Sequence, residues 1–174
     1  FLFQDLASDM FQSIGDNSAS TSKLKAGEPV SILLIGVDER ENDAGRADTL
    51  IYTTVNPITK RFTMTSIPRD TRVTIAQKGT EDKINHSYAF GGTEMTVNTV
   101  EQFLDLPVDY YVKINMEGFT KMIDALGGVT VYNDLEFKYH GFYYPEGEIT
   151  LKREGAQIYV RMRKQDPRGG FGRQ

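Results

Sequence analysis

The run VSILLIGV, residues 30–37, constrains this chain more than any other segment. Only Ser31 in it is polar, and there is no alternation of apolar and polar residues. A transmembrane helix needs about 20 apolar residues, and no stretch of the chain supplies them. The run therefore reads as a strand of the kind buried on both faces. TLIYTTVN (49–56) and KRFTMTSI (60–67) read as two further strands. Asn56, Pro57, Ile58 and Thr59 supply turn chemistry between them, which predicts an antiparallel hairpin.

Helices are interleaved with these strands. Residues 84–92 predict a helical turn or two that closes on Gly91 and Gly92. Residues 93–104 carry Met95, Val97, Val100, Phe103 and Leu104 at helical spacing. MEGFTKMIDALGG is a second helix ending on paired glycines. VDYYVKIN and VTVYN read as strands, whereas 134–150 reads as an irregular aromatic region. Phe1, Leu2, Leu6, Met10, Phe11 and Ile14 predict a short amphipathic helix over 1–14, followed by a polar linker over 15–29. The fold class expected is α/β (α+β), a mixed central sheet flanked by helices. Residues 1–29 are an N-terminal amphipathic segment and linker, and 30–174 form the compact domain.

Composition narrows the function classes. At 174 residues the chain fits one domain, and a net charge of -4 argues against binding nucleic acid by phosphate neutralisation. The absence of cysteine excludes disulfides, zinc–thiolate sites and a cysteine nucleophile. The opening residues do not read as a signal peptide, although a chain trimmed of a membrane anchor would look the same.

Four stretches carry charge in a pattern worth chemistry. GVDERENDAGRADTL joins the first two strands and holds five acidic residues and two arginines. Asp38 and Asp48 sit at adjacent strand ends, where two carboxylates can converge on Mg2+; a solvated acidic loop is the commoner explanation of such spacing. SIPRDT places Arg69 just beyond a strand, suited to a two-pronged contact with phosphate or to a local ion pair with Asp70. YVRMRKQDPRGGFGRQ collects Arg161, Arg163, Lys164, Arg168 and Arg173. In an extended segment Arg161 and Arg163 point the same way, whereas in a helix they diverge by about 200°; a solvated basic tail is the alternative. DKINHSY offers Lys83 as a further phosphate contact. His86 has only His140 as a fellow histidine, so it reads as a hydrogen-bonded structural residue. Together these are the parts of a diphosphate site, and no GxxxxGK[ST] loop competes with them.

The blocks LLIGVDER, GRADTL, SIPRDT, DKINHSYAFGG, VDYYVKINMEGF, IDALGGVTV and YVRMRKQDPRGGFGR occur in an order that resembles the LytR-CpsA-Psr family of bacterial envelope proteins, from about Val30 to Gln174. The resemblance implies an extracytoplasmic catalytic domain over 30–174, tethered by an N-terminal membrane helix that this chain lacks, on the outer face of a Gram-positive cell membrane. It implies a mixed sheet with an apolar polyprenyl tunnel. It implies an enzyme that transfers a glycopolymer, teichoic acid or capsule, from a polyprenyl diphosphate carrier to peptidoglycan. Asp38 and Asp48 match the carboxylates that hold Mg2+. Arg69, Arg161 and Arg163 match the catalytic arginines, and Arg46, Lys83 and Arg173 the diphosphate contacts. Glu39, Glu41 and Asp43 are expected to face solvent. A monomer is expected, with no nucleic-acid partner.

Two departures stand out. The family's GDxxR has Gly169 and Gly170 here before Arg173, and the family usually continues beyond Gln174, which implies a truncated C-terminal part. A diphosphate hydrolase and a non-catalytic lipid- or glycopolymer-binding module remain as alternative functions.

Overall fold

A computed structural model of the chain describes residues 22–23, 25–39 and 45–162, together with the backbone of 11–13. The chain divides into two compact units, Phe1–Asn115 and Met116–Gln174.

The first unit is built on a mixed sheet. Its strands are β1 (Phe11–Ser13), β2 (Val30–Val37), β3 (Ala47–Asn56), β4 (Arg61–Ile67) and β7 (Tyr110–Asn115), in the spatial order β1-β7-β2-β3-β4. β2 runs antiparallel to β3 and parallel to β7. β3 and β4 form the antiparallel hairpin that the turn at Asn56 predicts, with Asn56 Oδ1 accepting from the Thr59 N–H at 3.0 Å. A smaller antiparallel pair joins β5 (Arg72–Thr74) to β6 (Glu81–Lys83).

Helix α1 (His86–Leu104) covers one face of the sheet. Its Tyr88, Val97 and Val100 pack with Leu33, Ile35, Val37, Leu50 and Tyr52. Gly91 and Gly92 are non-helical, so α1 is the two helical pieces expected, joined at the glycines. β2 departs from the expectation of uniform burial: Leu33, Ile35 and Val37 are buried, whereas Ile32, Leu34 and Gly36 on the other face are intermediate.

The N-terminal reading also changes. At 11–13 the backbone is a strand paired antiparallel with β7, not helix. A three- and four-residue apolar spacing carries little weight over so short a segment when a sheet edge offers backbone hydrogen bonds.

One buried carboxylate ties the start of β2 to the approach to β7. Asp109, only 8% exposed, accepts from the Ser31 N–H at 2.9 Å and from Lys23 Nζ at 2.6 Å. Ser31 Oγ donates to the Pro107 carbonyl at 2.7 Å and accepts from the Asp109 N–H at 2.9 Å. Burial opposes ionisation of Asp109, yet the bonds from Lys23 and Ser31 outweigh it and hold the carboxyl below its usual range.

The second unit contains α2 (Met116–Ala125), β8 (Val129–Asn133), β9 (Phe137–Tyr139), β10 (Phe142–Tyr144), β11 (Gly147–Leu151) and α3 (Arg153–Arg161). β8 pairs with β11 and β9 with β10, both antiparallel. The aromatic region read as irregular is therefore largely strand. His140 and Gly141, both at positive φ, form the two-residue connection of the β9–β10 hairpin, as a type I′ turn requires. Ile123, Phe137, Tyr144, Leu151, Ala156 and Met162 form the core. Asn133 is fully buried at its centre; its amide donates to the carbonyls of Leu135 and Pro145, each at 2.7 Å, and its oxygen accepts from Tyr159 at 3.1 Å. No helix among the described residues is long and apolar enough to cross a membrane.

Asp109→Ala strips the Ser31 N–H of a charged acceptor, and urea unfolding is expected to show a loss of about 1.5–3 kcal/mol at neutral pH. Because the folded carboxyl is held low, this contribution is complete above the unfolded value of about 3.9 and disappears as pH falls through the folded value. The stability gap between the two proteins is expected to stay level above about pH 5 and to close on acidification.

Candidate functional site

The site begins where the β2–β3 ladder ends. The last paired residues are Val37 and Ala47, after a register shift at Gly36. One step further, the Asp38 N–H donates to the Arg46 carbonyl at 3.1 Å. This bond places Asp38 and Arg46 side by side on the backbone, with Asp48 two residues along β3. Gly45 makes the approach possible. It has a φ of +73°, and a Cβ there would lie 2.9 Å from the Asp38 carbonyl oxygen and 3.0 Å from Glu39 Cα. Only glycine accepts both conditions without a shift of backbone.

Arg69 reaches the same place from the turn between β4 and β5. The Pro68 carbonyl accepts from the Thr71 N–H at 2.9 Å and from its hydroxyl at 2.6 Å. Ile84 and Asn85 donate their N–H groups to the carbonyls of Thr71 and Arg69 at 2.8 and 3.2 Å, which fixes the turn against the entrance to α1. So held, Arg69 donates from Nη1 to Asp48 Oδ1 at 2.9 Å. Its Nε lies 3.7 Å from Asp70 Oδ2, and Asp70 Oδ1 accepts from Lys83 Nζ at 2.7 Å. The result is a line of alternating charge, Asp48, Arg69, Asp70, Lys83, drawn from three separate points in the sequence. The local pair of Arg69 with Asp70 exists, but the hydrogen bond goes to Asp48. Lys83, and more weakly Arg69, hold the Asp70 carboxyl below its ordinary range.

His86 is hydrogen-bonded as the sequence suggested. Its Nδ1 lies 2.9 Å from Asp82 Oδ1, and since an ionised carboxylate only accepts, that nitrogen carries the proton. The bond to His86 is also what lowers the Asp82 carboxyl most.

Glu39 is exposed, as expected, and it also accepts a hydrogen bond from the Tyr88 hydroxyl of α1 and lies 3.5 Å from Lys113 Nζ of β7. Lys113 also donates to the Tyr88 oxygen at 3.3 Å. Burial first, and the bond to Glu39 second, push the Tyr88 hydroxyl up. Burial would lower Lys113, but Tyr88 and Glu39 together hold it above its usual value. Glu41 and Asp43 lie outside the described residues.

The basic C-terminal run is partly helical rather than extended. Arg161 is the last residue of α3 in the second unit and is exposed, and Met162 leaves the helix with its side chain fully buried. Ala156, Ile158, Tyr159 and Met162 recur at helical spacing on the core side, and that burial decides the conformation over the alternation read from Val160 and Met162. Arg163 and Arg173 lie outside the described residues.

Asp38 and Asp48 present an all-oxygen donor pair at one end of the β2–β3 ladder. Among the described residues no group of three or more His, Cys, Asp or Glu forms a self-sufficient metal cage. Two carboxylates completed by water and substrate phosphate are a donor set of the kind Mg2+ uses, so the residue types suit that ion.

Residues 3–174 match the LytR_cpsA_psr family. The chain belongs to that family. A Bacillus subtilis member, the polyisoprenyl-teichoic acid–peptidoglycan teichoic acid transferase TagU, is 63% identical over 147 residues, which are 84% of this chain and 48% of the relative. The crystal structure of B. subtilis TagU superposes with a TM-score of 0.70 at 59% identity, covering 84% of this chain and 60% of that one. A structure from Enterococcus faecalis described as a transcriptional regulator gives 0.78 at 43% identity, over 87% of this chain and 55% of the other. TagT bound to LIIa-WTA gives 0.69 at 37% identity, over 80% and 56%. The LytR_cpsA_psr chain described here thus spans about half the length of the curated relatives it matches.

Two substitutions separate the ladder end from the ion pair. Gly45→Ala forces a methyl into backbone and a left-handed φ, and is expected to cost about 1–3 kcal/mol in urea unfolding. Arg69→Ala removes a pair whose side chains are about a third exposed, and is expected to change stability by less than about 1 kcal/mol.

Proposed function

We propose that this chain transfers an anionic glycopolymer of teichoic acid or capsule type from a polyprenyl diphosphate carrier to peptidoglycan, on the outer face of a bacterial cell membrane to which the full-length protein is anchored. The observation that carries the reading is the charged line from Asp48 through Arg69 and Asp70 to Lys83, set beside Asp38 and Arg46 at the end of β2. The teichoic acid transferase relatives and the WTA-bound TagT structure support it.

In this reading Arg46, Arg69 and Lys83 grip the diphosphate oxygens. Asp38 and Asp48 would hold Mg2+, which would supply Lewis-acid charge to the diphosphate. Arg69 is held before substrate arrives, by a turn bonded through its own carbonyl to Asn85. Such preorganised cations stabilise charge that develops in the transition state without reorganising at that moment. A hydroxyl of the peptidoglycan sugar attacks the phosphorus that bears the glycopolymer. The new P–O bond forms as the bridging P–O bond breaks, polyprenyl phosphate leaves with the electron pair, and the hydroxyl's proton passes to solvent. Phosphoryl chemistry of this kind needs positioning and charge more than covalent help.

The test uses a labelled polyprenyl diphosphate-linked glycopolymer with and without peptidoglycan fragments. Label is expected to move to the glycan in wild type. In Arg69→Ala the rate is expected to fall by about 10²–10³, the usual effect of losing one preorganised charge-stabilising donor. Release of label at the same rate without glycan would replace the transferase by a hydrolase. Binding of the donor without turnover would leave a binding module.

A further inference from the structure

Glu39 follows Asp38 directly on the segment that leaves β2. Three elements converge on it: the segment itself, α1 through Tyr88, and β7 through Lys113. Tyr88 is 5% exposed, and its ring lies 6.0 Å from Lys113 Nζ. A carboxylate in a merely solvated loop has no need of a buried phenol and a half-buried ammonium aimed at it. Without Glu39, the hydroxyl of the buried Tyr88 would lose the acceptor it has here.

The backbone around Asp38 explains what such an anchor does. One hydrogen bond, from the Asp38 N–H to the Arg46 carbonyl, closes the ladder there, and Gly45 presses against the Asp38 carbonyl. These contacts hold the backbone of Asp38 from the β3 side. The direction in which the chain leaves Asp38 is set by the next residue, and that residue is bonded to α1 and β7. Both belong to the same unit, so the anchor ties the backbone beside Asp38 to them.

We propose that Glu39, Tyr88 and Lys113 are a positioning cluster that holds the Asp38 carboxylate where it shares a divalent cation with Asp48. The inference rests on the reading of Asp38 and Asp48 as the metal-holding pair. Carboxylates around metal sites gain their precision from neighbours that never touch the ion. Here that neighbour reaches Asp38 through the backbone, and Tyr88 acts through Glu39.

The experiment measures Mn2+ binding to the full chain by electron paramagnetic resonance, the ion standing in for Mg2+. Asp48→Asn is the control for the pair itself and is expected to abolish binding. Tyr88→Phe and Glu39→Ala are each expected to weaken binding about tenfold, as losses among neighbours of a metal site do. Glu39→Gln keeps an acceptor for Tyr88 and is expected to bind more tightly than Glu39→Ala. The double variant Tyr88→Phe/Glu39→Ala is expected to be no weaker than Glu39→Ala alone, because both break one interaction. Thermal unfolding of each variant accompanies the titration; should Tyr88→Phe unfold, the comparison of Glu39→Gln with Glu39→Ala decides. Wild-type affinity in Tyr88→Phe, with binding lost in Asp48→Asn, overturns the cluster and leaves the metal pair standing. Additive losses in the double variant overturn it too, since Glu39 would then act on the ion directly. Undiminished binding in Asp48→Asn, or none in wild type, removes the metal pair and with it anything to position.

Discussion

The antiparallel ladder between β2 and β3 is what the rest of the site depends on. From Val30 opposite Val55 to Val37 opposite Ala47, it carries the fully buried Leu33, Ile35 and Leu50 of the first unit's core. Burying such side chains contributes about 1.5–3 kcal/mol each. A ladder so anchored has an end that does not fray, and the chain places its carboxylates there. Asp38, Arg46 and Asp48 inherit their positions from backbone pairing, with Gly45 as the one residue small enough for the closure. The side chains that gather around this end come from a turn, a helix and a neighbouring strand, each tied to the same sheet.

The charges at this end are arranged by opposition. Every cation in the line from Asp48 to Lys83 has an anion beside it, and the pairs are half exposed, so they add little to stability. What they do is hold Arg69 and Lys83 extended in place. In the proposed reading, a diphosphate entering here meets cations that are already paired in place. It does not meet a bare positive pocket, which would repel itself in the empty protein.

Much of this was legible in the sequence. The apolar run of β2, the hairpin to β4, the paired glycines inside α1 and the helix at Met116 all follow from local pattern and are found. Local pattern failed where a tertiary partner decided the outcome. Phe11–Ser13 carries a helical spacing and becomes a strand because β7 offers it an edge. The aromatic stretch after Asp134 has no clean alternation, yet His140 and Gly141 turn it into a hairpin around a core centred on Asn133. Arg161 ends a helix because Ala156, Ile158 and Tyr159 bury one of its faces. Among the site residues, Asp48 and Arg69 were legible as types, but their hydrogen bond spans 21 positions and is visible only in the fold. Glu39 faces solvent as expected, but its partners lie 49 and 74 positions away and are visible only in the fold.

The measurement that tests the central claim most directly is binding of a short polyprenyl diphosphate to the chain, with and without Mg2+, in wild type, Asp38→Ala and Arg69→Ala. If the end of the β2–β3 ladder is a diphosphate site, Mg2+ tightens binding to wild type, Asp38→Ala loses that enhancement, and Arg69→Ala binds weakly in both conditions. Equal binding by all three proteins, indifferent to Mg2+, would contradict the account and leave these charges as ordinary surface.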